Sequence, residues 1–182
     1  MRIIAGELKG RRIDTPKWDG LRPTSDKLRE TLFNVLAPRI VGARLLDAYA
    51  GTGAVGIEAL SRGATHVTFV EKDPRAVRLI EANLGRCGVD DRYAIIRAGL
   101  ADTVKRLGAE RFDIIFLDPP YGADTLVDAV ALAGSLAAAD TVIVIEHASK
   151  HEAPAVSGAL ARVRVLRSGD SALSFYRRVE TA

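Results

Sequence analysis

The stretch LLDAYAGTGAVG, residues 45–56, decides the predicted fold because an apolar run leads through a glycine-rich turn into a helical pattern. Gly51, Gly53 and Gly56 fit the spacing G-x-G-x-x-G, which allows a tight turn and a close approach of a ligand to the backbone. The same spacing also occurs in plain structural turns and in loops that bind a dinucleotide or another adenosine cofactor. The loop alone therefore leaves its ligand open.

Strand-like runs and helical patterns alternate along the chain from residue 44. The strand-like runs are RLLDAY, HVTFVE, YAIIRA, FDIIFLD and DTVIVIE, and four helical patterns separate them. This alternation predicts an α/β, Rossmann-like fold with a mostly parallel sheet and helices on both faces. The last stretch, ARVRVLRSGDSALSFYRRVE, predicts a C-terminal antiparallel hairpin that turns at residues 168–170.

The first part of the chain has a different pattern. RIIAGELKGRRIDTP predicts a β-hairpin, and an amphipathic helix follows, which Pro38 is expected to end. We therefore expect an N-terminal basic extension at residues 1–20 and a larger domain at residues 21–182. Residues 1–40 hold nine Lys or Arg against five Asp or Glu, whereas residues 41–182 hold 17 against 18. The basic segment is either a solvated tail or a surface that meets phosphates.

Composition excludes several classes of protein. A hydrophobic content of 48% and a charged content of 27% are ordinary for a soluble globular protein. No run approaches the ~18 apolar residues of a membrane span, and no signal-peptide core follows Met1. The single cysteine, Cys87, excludes an internal disulfide, and the histidines lack metal-ligand spacing. We expect a cytoplasmic monomer with no membrane or metal partner.

Two acids at strand ends bear on the ligand of the glycine loop. Asp47 lies four residues before Gly51, where a pyrophosphate would be repelled and a positively charged group would not. Glu71 ends the second strand, where an acid can accept hydrogen bonds from ribose hydroxyls. This pairing favours S-adenosylmethionine over NAD. The adenine is expected near Gly99 and Leu100, although the sequence has no acid or amide at Gly99 to hold its amino group.

The segment FLDPPYG, residues 116–122, predicts the reacting end of the site. Consecutive prolines cannot continue a helix or a central strand, so Asp118 ends a strand on a stiff stub. An exocyclic amine on a base is a poor nucleophile and needs acceptors aimed at its hydrogens. Asp118 and the Pro119 carbonyl can supply them, Pro120 keeps them fixed, and Tyr121 can stack on a flipped base. The sequence therefore favours direct methyl transfer to nitrogen.

Five segments together resemble one family. In chain order they are RIIAGELKGRRI (residues 2–13), RPTSDKLRETLFNVL (22–36), LLDAYAGTGAVGIEALSRGA (45–64), VEKD (70–73) and DPPY (118–121). They resemble the RsmD family of small-subunit ribosomal RNA guanine-N2 methyltransferases, and the N-terminal segments are the most specific. The resemblance implies a seven-stranded sheet whose last hairpin adds an antiparallel strand, with an N-terminal β-hairpin extension.

The resemblance also implies site residues and a substrate. The substrate would be a guanine of 16S rRNA in the assembling small subunit, and the target base would lie at residues 118–121. The implied cofactor contacts are Asp47, Gly51, Thr52, Gly53 and Glu71. The RNA contacts, on the hairpin and around the pocket, would be Arg2, Lys9, Arg11, Arg12, Arg22 and Thr24. Gly99 departs from the family, which often has Asp or Asn there.

Several alternatives remain open on the sequence. An adenine-N6 DNA or RNA methyltransferase is the nearest, since D-P-P-Y suits either amine, although no sizeable target-recognition domain is present. A protein-glutamine methyltransferase usually begins this motif with Asn. An NAD-dependent oxidoreductase is supported by the glycine loop and opposed by Asp47 and by the D-P-P-Y segment. A non-catalytic rRNA-binding assembly factor is opposed by the presence of both Asp47 and Asp118.

Overall fold

Helices and strands alternate in the computed structural model, which describes residues 1–16, 18, 24–108, 110–120 and 123–179. The helices are α1 Asp26–Ile40, α2 Ala54–Ser61, α3 Pro74–Arg86, α4 Leu100–Leu107 and α5 Ala123–Ser135. The strands are β1 Arg44–Ala48, β2 His66–Val70, β3 Tyr93–Ile96, β4 Phe112–Leu117, β5 Ala137–Ala148, β6 Val156–Ser157, β7 Leu160–Ser168 and β8 Ser171–Arg178.

The described residues form one sheet of eight strands in the order β3-β2-β1-β4-β5-β8-β7-β6. Strands β1 to β5 are parallel, and β8 pairs antiparallel with both β5 and β7. The predicted α/β fold with its C-terminal antiparallel hairpin is confirmed. The eighth strand, β6, was not predicted, because its two residues are too few to show an alternating pattern. The strand order reverses between β1 and β4, where ligands bind in open parallel sheets.

The sheet separates two hydrophobic cores. Helices α1, α2 and α3 pack on the face that carries Leu45, Phe69 and Phe116. Helices α4 and α5 pack on the opposite face, which carries Leu46 and Ile115. Side chains alternate between the two faces of a strand, so each parallel strand contributes apolar side chains to both cores. This explains why the sequences of these strands are nearly continuously apolar.

Helix α1 begins where Ser25 caps it, because the Ser25 side chain accepts a hydrogen bond from the backbone N–H of Leu28. The prediction that Pro38 ends this helix is wrong, since the helix continues to Ile40. A proline in the last turn removes a single helical hydrogen bond, and the buried side chain of Ile40 still packs on the core.

Residues 1–13 form a tight hairpin-like loop that packs on the body of the protein. One antiparallel bridge joins Arg2 to Arg12. Ile3, Leu8 and Ile13 are buried in the same core as α1 and α2. The predicted β-hairpin is therefore present as a turn with one bridge rather than as two strands, because its apolar side chains turn inwards to the core.

A buried acid fixes this loop, which we call the N-terminal loop, against α2. Glu58 accepts hydrogen bonds from the backbone N–H groups of Ile4 at 2.8 Å and Ala5 at 3.0 Å. The carboxylate also pairs with Arg62 at 2.7 Å and lies 3.9 Å from the buried guanidinium of Arg29. A buried charge needs such partners, so the contacts hold the loop in one position.

Candidate active site

The glycine loop leaves β1 through a strained residue. Tyr49, which follows the last residue of β1, has a φ of 62°, a conformation that a bulky side chain rarely adopts. Gly51 and Gly53 also have positive φ, at 56° and 76°, and Gly53 caps the N-terminus of α2. A hydrogen bond of 3.0 Å from the N–H of Ala50 to the carbonyl of Val70 ties the loop to β2. The loop thus has one defined shape.

Glu71, directly after β2, orients the glycine loop. One carboxylate oxygen accepts a hydrogen bond from the N–H of Gly51 at 2.9 Å, and the other accepts one from Asp73 at 2.9 Å. The side chain is almost fully buried. Because each carboxylate oxygen has two lone pairs, Glu71 retains acceptor capacity beside the loop.

Asp47 lies below the loop and is 2% exposed. Its Oδ2 accepts a hydrogen bond from the N–H of Gly56 at 2.8 Å. Burial raises the pKa of Asp47 to about 8; the Gly56 hydrogen bond opposes this and the charge of Glu71 adds to it. A buried carboxyl with a raised pKa favours a cationic ligand, which would stabilise its ionised form.

Asp118 begins the stiff stub next to β1. Its N–H donates to the carbonyl of Ala48 at 3.3 Å, which extends the pairing of β1 and β4 by one residue. Burial, together with the charges of Glu146 and Asp47, raises the pKa of Asp118 well above its usual value. Pro119 is buried and Pro120 is exposed.

Tyr121 and Arg22 both lie outside the described residues. The predicted base-stacking role of Tyr121 and the predicted phosphate contact of Arg22 therefore stay predictions.

Glu146, on β5, is a site residue that the sequence reasoning missed. Leu117 pairs with Ile145 in the parallel register of β4 and β5, so Asp118 and Glu146 lie level with each other. The hydroxyl of Thr24 donates to Oε2 of Glu146 at 2.8 Å. The signal was present in the sequence, since DTVIVIE ends in an acid in the same way as FDIIFLD.

The predicted adenine end lies beyond β3. Gly99 caps the N-terminus of α4, and its carbonyl accepts hydrogen bonds from the backbone and the hydroxyl of Thr103. Leu100 is 4% exposed and belongs to the second core. The Gly99 backbone and the Leu100 side chain thus shape this end without an acidic side chain at position 99.

The predicted RNA contacts differ in their surroundings. Arg2 donates to the carbonyl of Gly10 at 2.9 Å, and Arg11 donates to the carbonyl of Cys87. The side chains of Lys9 and Arg12 are exposed and have no ion-pair partner in the described part of the chain. Thr24, by contrast, is buried and hydrogen-bonded to Glu146, so it lies beside the acids at the strand ends rather than on the outer surface.

The described residues contain no group of three or more His, Cys, Asp or Glu side chains that could bind a metal ion. None of the described helices is both long and apolar enough to span a membrane.

Comparisons with known proteins decide the family. The family model described as Conserved hypothetical protein 95 matches residues 1–177. A relative from Escherichia coli, named Ribosomal RNA small subunit methyltransferase D, is 34% identical over 98% of this chain and 90% of its own length. The protein of the same name from Haemophilus influenzae is 39% identical over 72% of this chain and 69% of its own length. The chain belongs to the RsmD family. The predicted resemblance is thereby confirmed.

Solved structures agree with this assignment. A structure from Escherichia coli matches with a TM-score of 0.82 at 34% identity, and the match covers 98% of this chain and 97% of that one. A structure from Haemophilus influenzae matches with a TM-score of 0.76 at 28% identity and covers 98% of both chains. The likeness includes the N-terminal loop as well as the sheet, since it extends over nearly the whole RsmD chain.

Proposed function

We propose that this RsmD family member transfers a methyl group from S-adenosylmethionine to the exocyclic N2 of one guanine in 16S rRNA of the assembling small ribosomal subunit. The observation that carries the proposal is the position of Asp118. It directly follows β4, its N–H donates a hydrogen bond to β1, and it lies beside the glycine loop and the buried Asp47. Relatives over most of the chain are named for methylation of small-subunit rRNA.

The proposed cofactor is inferred from the side chains and backbone groups around the glycine loop. Asp47 and Glu71 are buried acids that flank the glycine loop, so they fit a cationic centre and two ribose hydroxyls and oppose a pyrophosphate. The backbone of Gly51, Thr52 and Gly53 would meet the amino-acid end. Gly99 and Leu100 would border the adenine.

Asp118 and the Pro119 carbonyl would carry the catalytic role. When bound, S-adenosylmethionine supplies an activated methyl group, and the electron pair of the broken C–S bond stays on sulfur. Asp118 and the Pro119 carbonyl each accept a hydrogen bond from the amine, which raises electron density on nitrogen as its lone pair forms the new N–C bond. The extra proton then passes from nitrogen to the Asp118 carboxylate. Stacking of the base on Tyr121 would add roughly 1–3 kcal/mol.

The N-terminal loop would hold the rRNA backbone. Its basic side chains are Arg2, Lys9, Arg11 and Arg12, and Arg22 would add a further phosphate contact. Glu58 already fixes the loop against α2, so phosphates would meet a preformed surface. A substrate assembled in the cytoplasm implies a cytoplasmic enzyme, and we propose that it acts as a monomer.

The test uses labelled S-adenosylmethionine and three acceptors: undermethylated small subunits, naked rRNA and duplex DNA. Each acceptor is digested to nucleosides and the labelled product is identified. We expect N2-methylguanosine from the subunit. N6-methyladenine would replace the proposed substrate with the adenine alternative. Cofactor binding without transfer to any acceptor would contradict the enzymatic role.

A further inference from the structure

Glu146 gives the pocket a second carboxylate beside Asp118. The register of β4 and β5 places the two side chains level on neighbouring strands. Phe116 and Val144, two residues earlier, both belong to the core that packs on α1 to α3, so by alternation Asp118 and Glu146 face that same side. Both side chains are half-buried, and the charge of Glu146 acts on Asp118, so the two carboxyl groups lie close together.

Thr24 holds Glu146 in a defined orientation. Its hydroxyl donates to Oε2 at 2.8 Å from a position just before α1, 122 residues away in the chain. Thr24 is buried, and this hydrogen bond ties the segment before α1 to the end of β5. A carboxylate has about four lone-pair positions, so the oxygen atoms can also accept from a base.

The bases differ in what they present next to the reacting amine. Guanine has a donor, N1–H, beside its exocyclic N2 amine. Adenine and cytosine instead have an unprotonated ring nitrogen, an acceptor, beside theirs. A carboxylate at this position accepts a hydrogen bond from guanine and repels the lone pair of the other two bases.

We propose that Glu146 selects guanine by accepting a hydrogen bond from N1–H while Asp118 accepts one from the N2 amine. The proposal rests on the proposed function and names the specificity-determining residue within it. Two carboxylates on adjacent strands match two adjacent donors on one edge of the base. Thr24 keeps the Glu146 oxygens aimed at that edge.

The test compares guanosine with 2-aminopurine at the target position, in small subunits reconstituted from spliced rRNA. 2-Aminopurine keeps the C2 amine but has no proton on N1. The wild-type protein should prefer guanosine in kcat/KM by roughly 10- to 100-fold or more, because a site built to accept an N–H rejects an analogue that lacks it. In Glu146→Gln the amide can donate to N1 of 2-aminopurine, so this preference should fall by at least about tenfold.

The guanosine to 2-aminopurine ratio of kcat/KM is compared between the wild type and each variant. Other differences between the bases, such as the missing O6 of 2-aminopurine, affect both ratios and cancel. Glu110→Gln removes an exposed carboxylate just before β4, at the opposite end of the strands from Glu146, and should leave the preference unchanged. Thr24→Val keeps the Glu146 carboxylate without its hydroxyl partner and should weaken the preference less than Glu146→Gln does. Cofactor binding by each variant, measured by calorimetry, shows that the pocket is folded.

The outcomes separate the two proposals. An unchanged preference in a Glu146→Gln protein that binds cofactor would overturn the role of Glu146 while N2-methylguanosine production by the wild type upholds the proposed function. A wild-type protein that transfers no methyl group to guanosine in the subunit would overturn the proposed function itself.

Discussion

Asp118 is the residue on which methyl transfer should depend most. Asp118→Ala removes an acceptor from the amine and should lower the rate by roughly 10²–10⁴, while cofactor affinity stays close to wild type. Single-turnover transfer and calorimetry measure the two effects separately. Asp113→Ala is the matched control: Asp113 is an exposed acid near the start of β4, its carboxylate accepts only from the N–H of Arg44 among the described contacts, and the variant should transfer at nearly the wild-type rate. Near-normal turnover in Asp118→Ala would remove the proposed catalytic role.

Asp47 should make cofactor affinity depend on pH. Its pKa is about 8, chiefly because burial disfavours the charged form. A cationic ligand favours the ionised form and lowers this pKa on binding. S-adenosylmethionine should therefore bind more tightly as pH rises towards 8, by up to roughly tenfold per unit, and the gain should stop above that pKa.

Calorimetry at several pH values, with wild type and Asp47→Asn, checks this linkage. An asparagine retains an oxygen that can accept from the N–H of Gly56, so the loop should keep its shape. The variant should bind more weakly and lose the part of the pH dependence that Asp47 contributes. Parallel pH profiles for the two proteins would show that Asp47 does not titrate on binding.

At the scale of elements, the closeness of α2 to β2 depends on Gly56. A Cβ added there would lie 2.2 Å from Cε1 of Phe69 and 2.8 Å from Cγ1 of Val67. Gly56→Ala should therefore destabilise the protein by roughly 1–3 kcal/mol, through overpacking. Gly85→Ala, in α3, meets nothing within 4 Å and should instead be neutral or stabilise by up to about 1 kcal/mol. The thermal unfolding midpoint should fall in Gly56→Ala and stay unchanged or rise in Gly85→Ala; equal shifts would contradict the close-packing account.

The position of the N-terminal loop depends on Gly6. Gly6 and Gly10 have nearly equal φ values, +84° and +83°, so alanine is strained at both. A Cβ at Gly6 would lie 1.8 Å from the carbonyl oxygen of Ser61, whereas a Cβ at Gly10 meets nothing within 4 Å. Gly6→Ala should therefore release the loop from α2 and increase amide hydrogen exchange at residues 3–8, and Gly10→Ala should not. Similar exchange in both variants would mean that backbone strain alone controls docking.

Local patterns in the sequence predicted most of the elements, because strand alternation, glycine spacing and proline act over a few residues. The acids at or near the ends of β1, β2 and β4 were predicted by the same rule, and that rule could also have predicted Glu146, near the end of β5. The contact from Thr24 to Glu146 spans 122 residues, and that from Ile4 to Glu58 spans 54. Such contacts depend on how helices pack over the sheet, which no local pattern records.

At the scale of the whole molecule, the first helix, α1, connects the basic N-terminal loop to the candidate active site. The N-terminal loop packs on α1 and α2, and Thr24, just before α1, contacts Glu146 in the pocket. An rRNA held on the loop would therefore be held at a fixed distance from Asp118. A rigid connection of this kind favours an assembled, shaped substrate over flexible naked RNA.

The salt dependence of binding to undermethylated subunits tests that connection. Replacing Lys9 and Arg12 by Gln should weaken binding and reduce the slope of log affinity against log salt by roughly one unit for each lost phosphate contact. The matched control pair is Arg106, in the last turn of α4, and Arg111, just before β4; both arginines are exposed and lie outside the N-terminal loop. If both double variants change the slope equally, only overall charge matters. If the loop pair alone changes it and also lowers kcat/KM more than kcat, the loop positions the substrate through ground-state contacts.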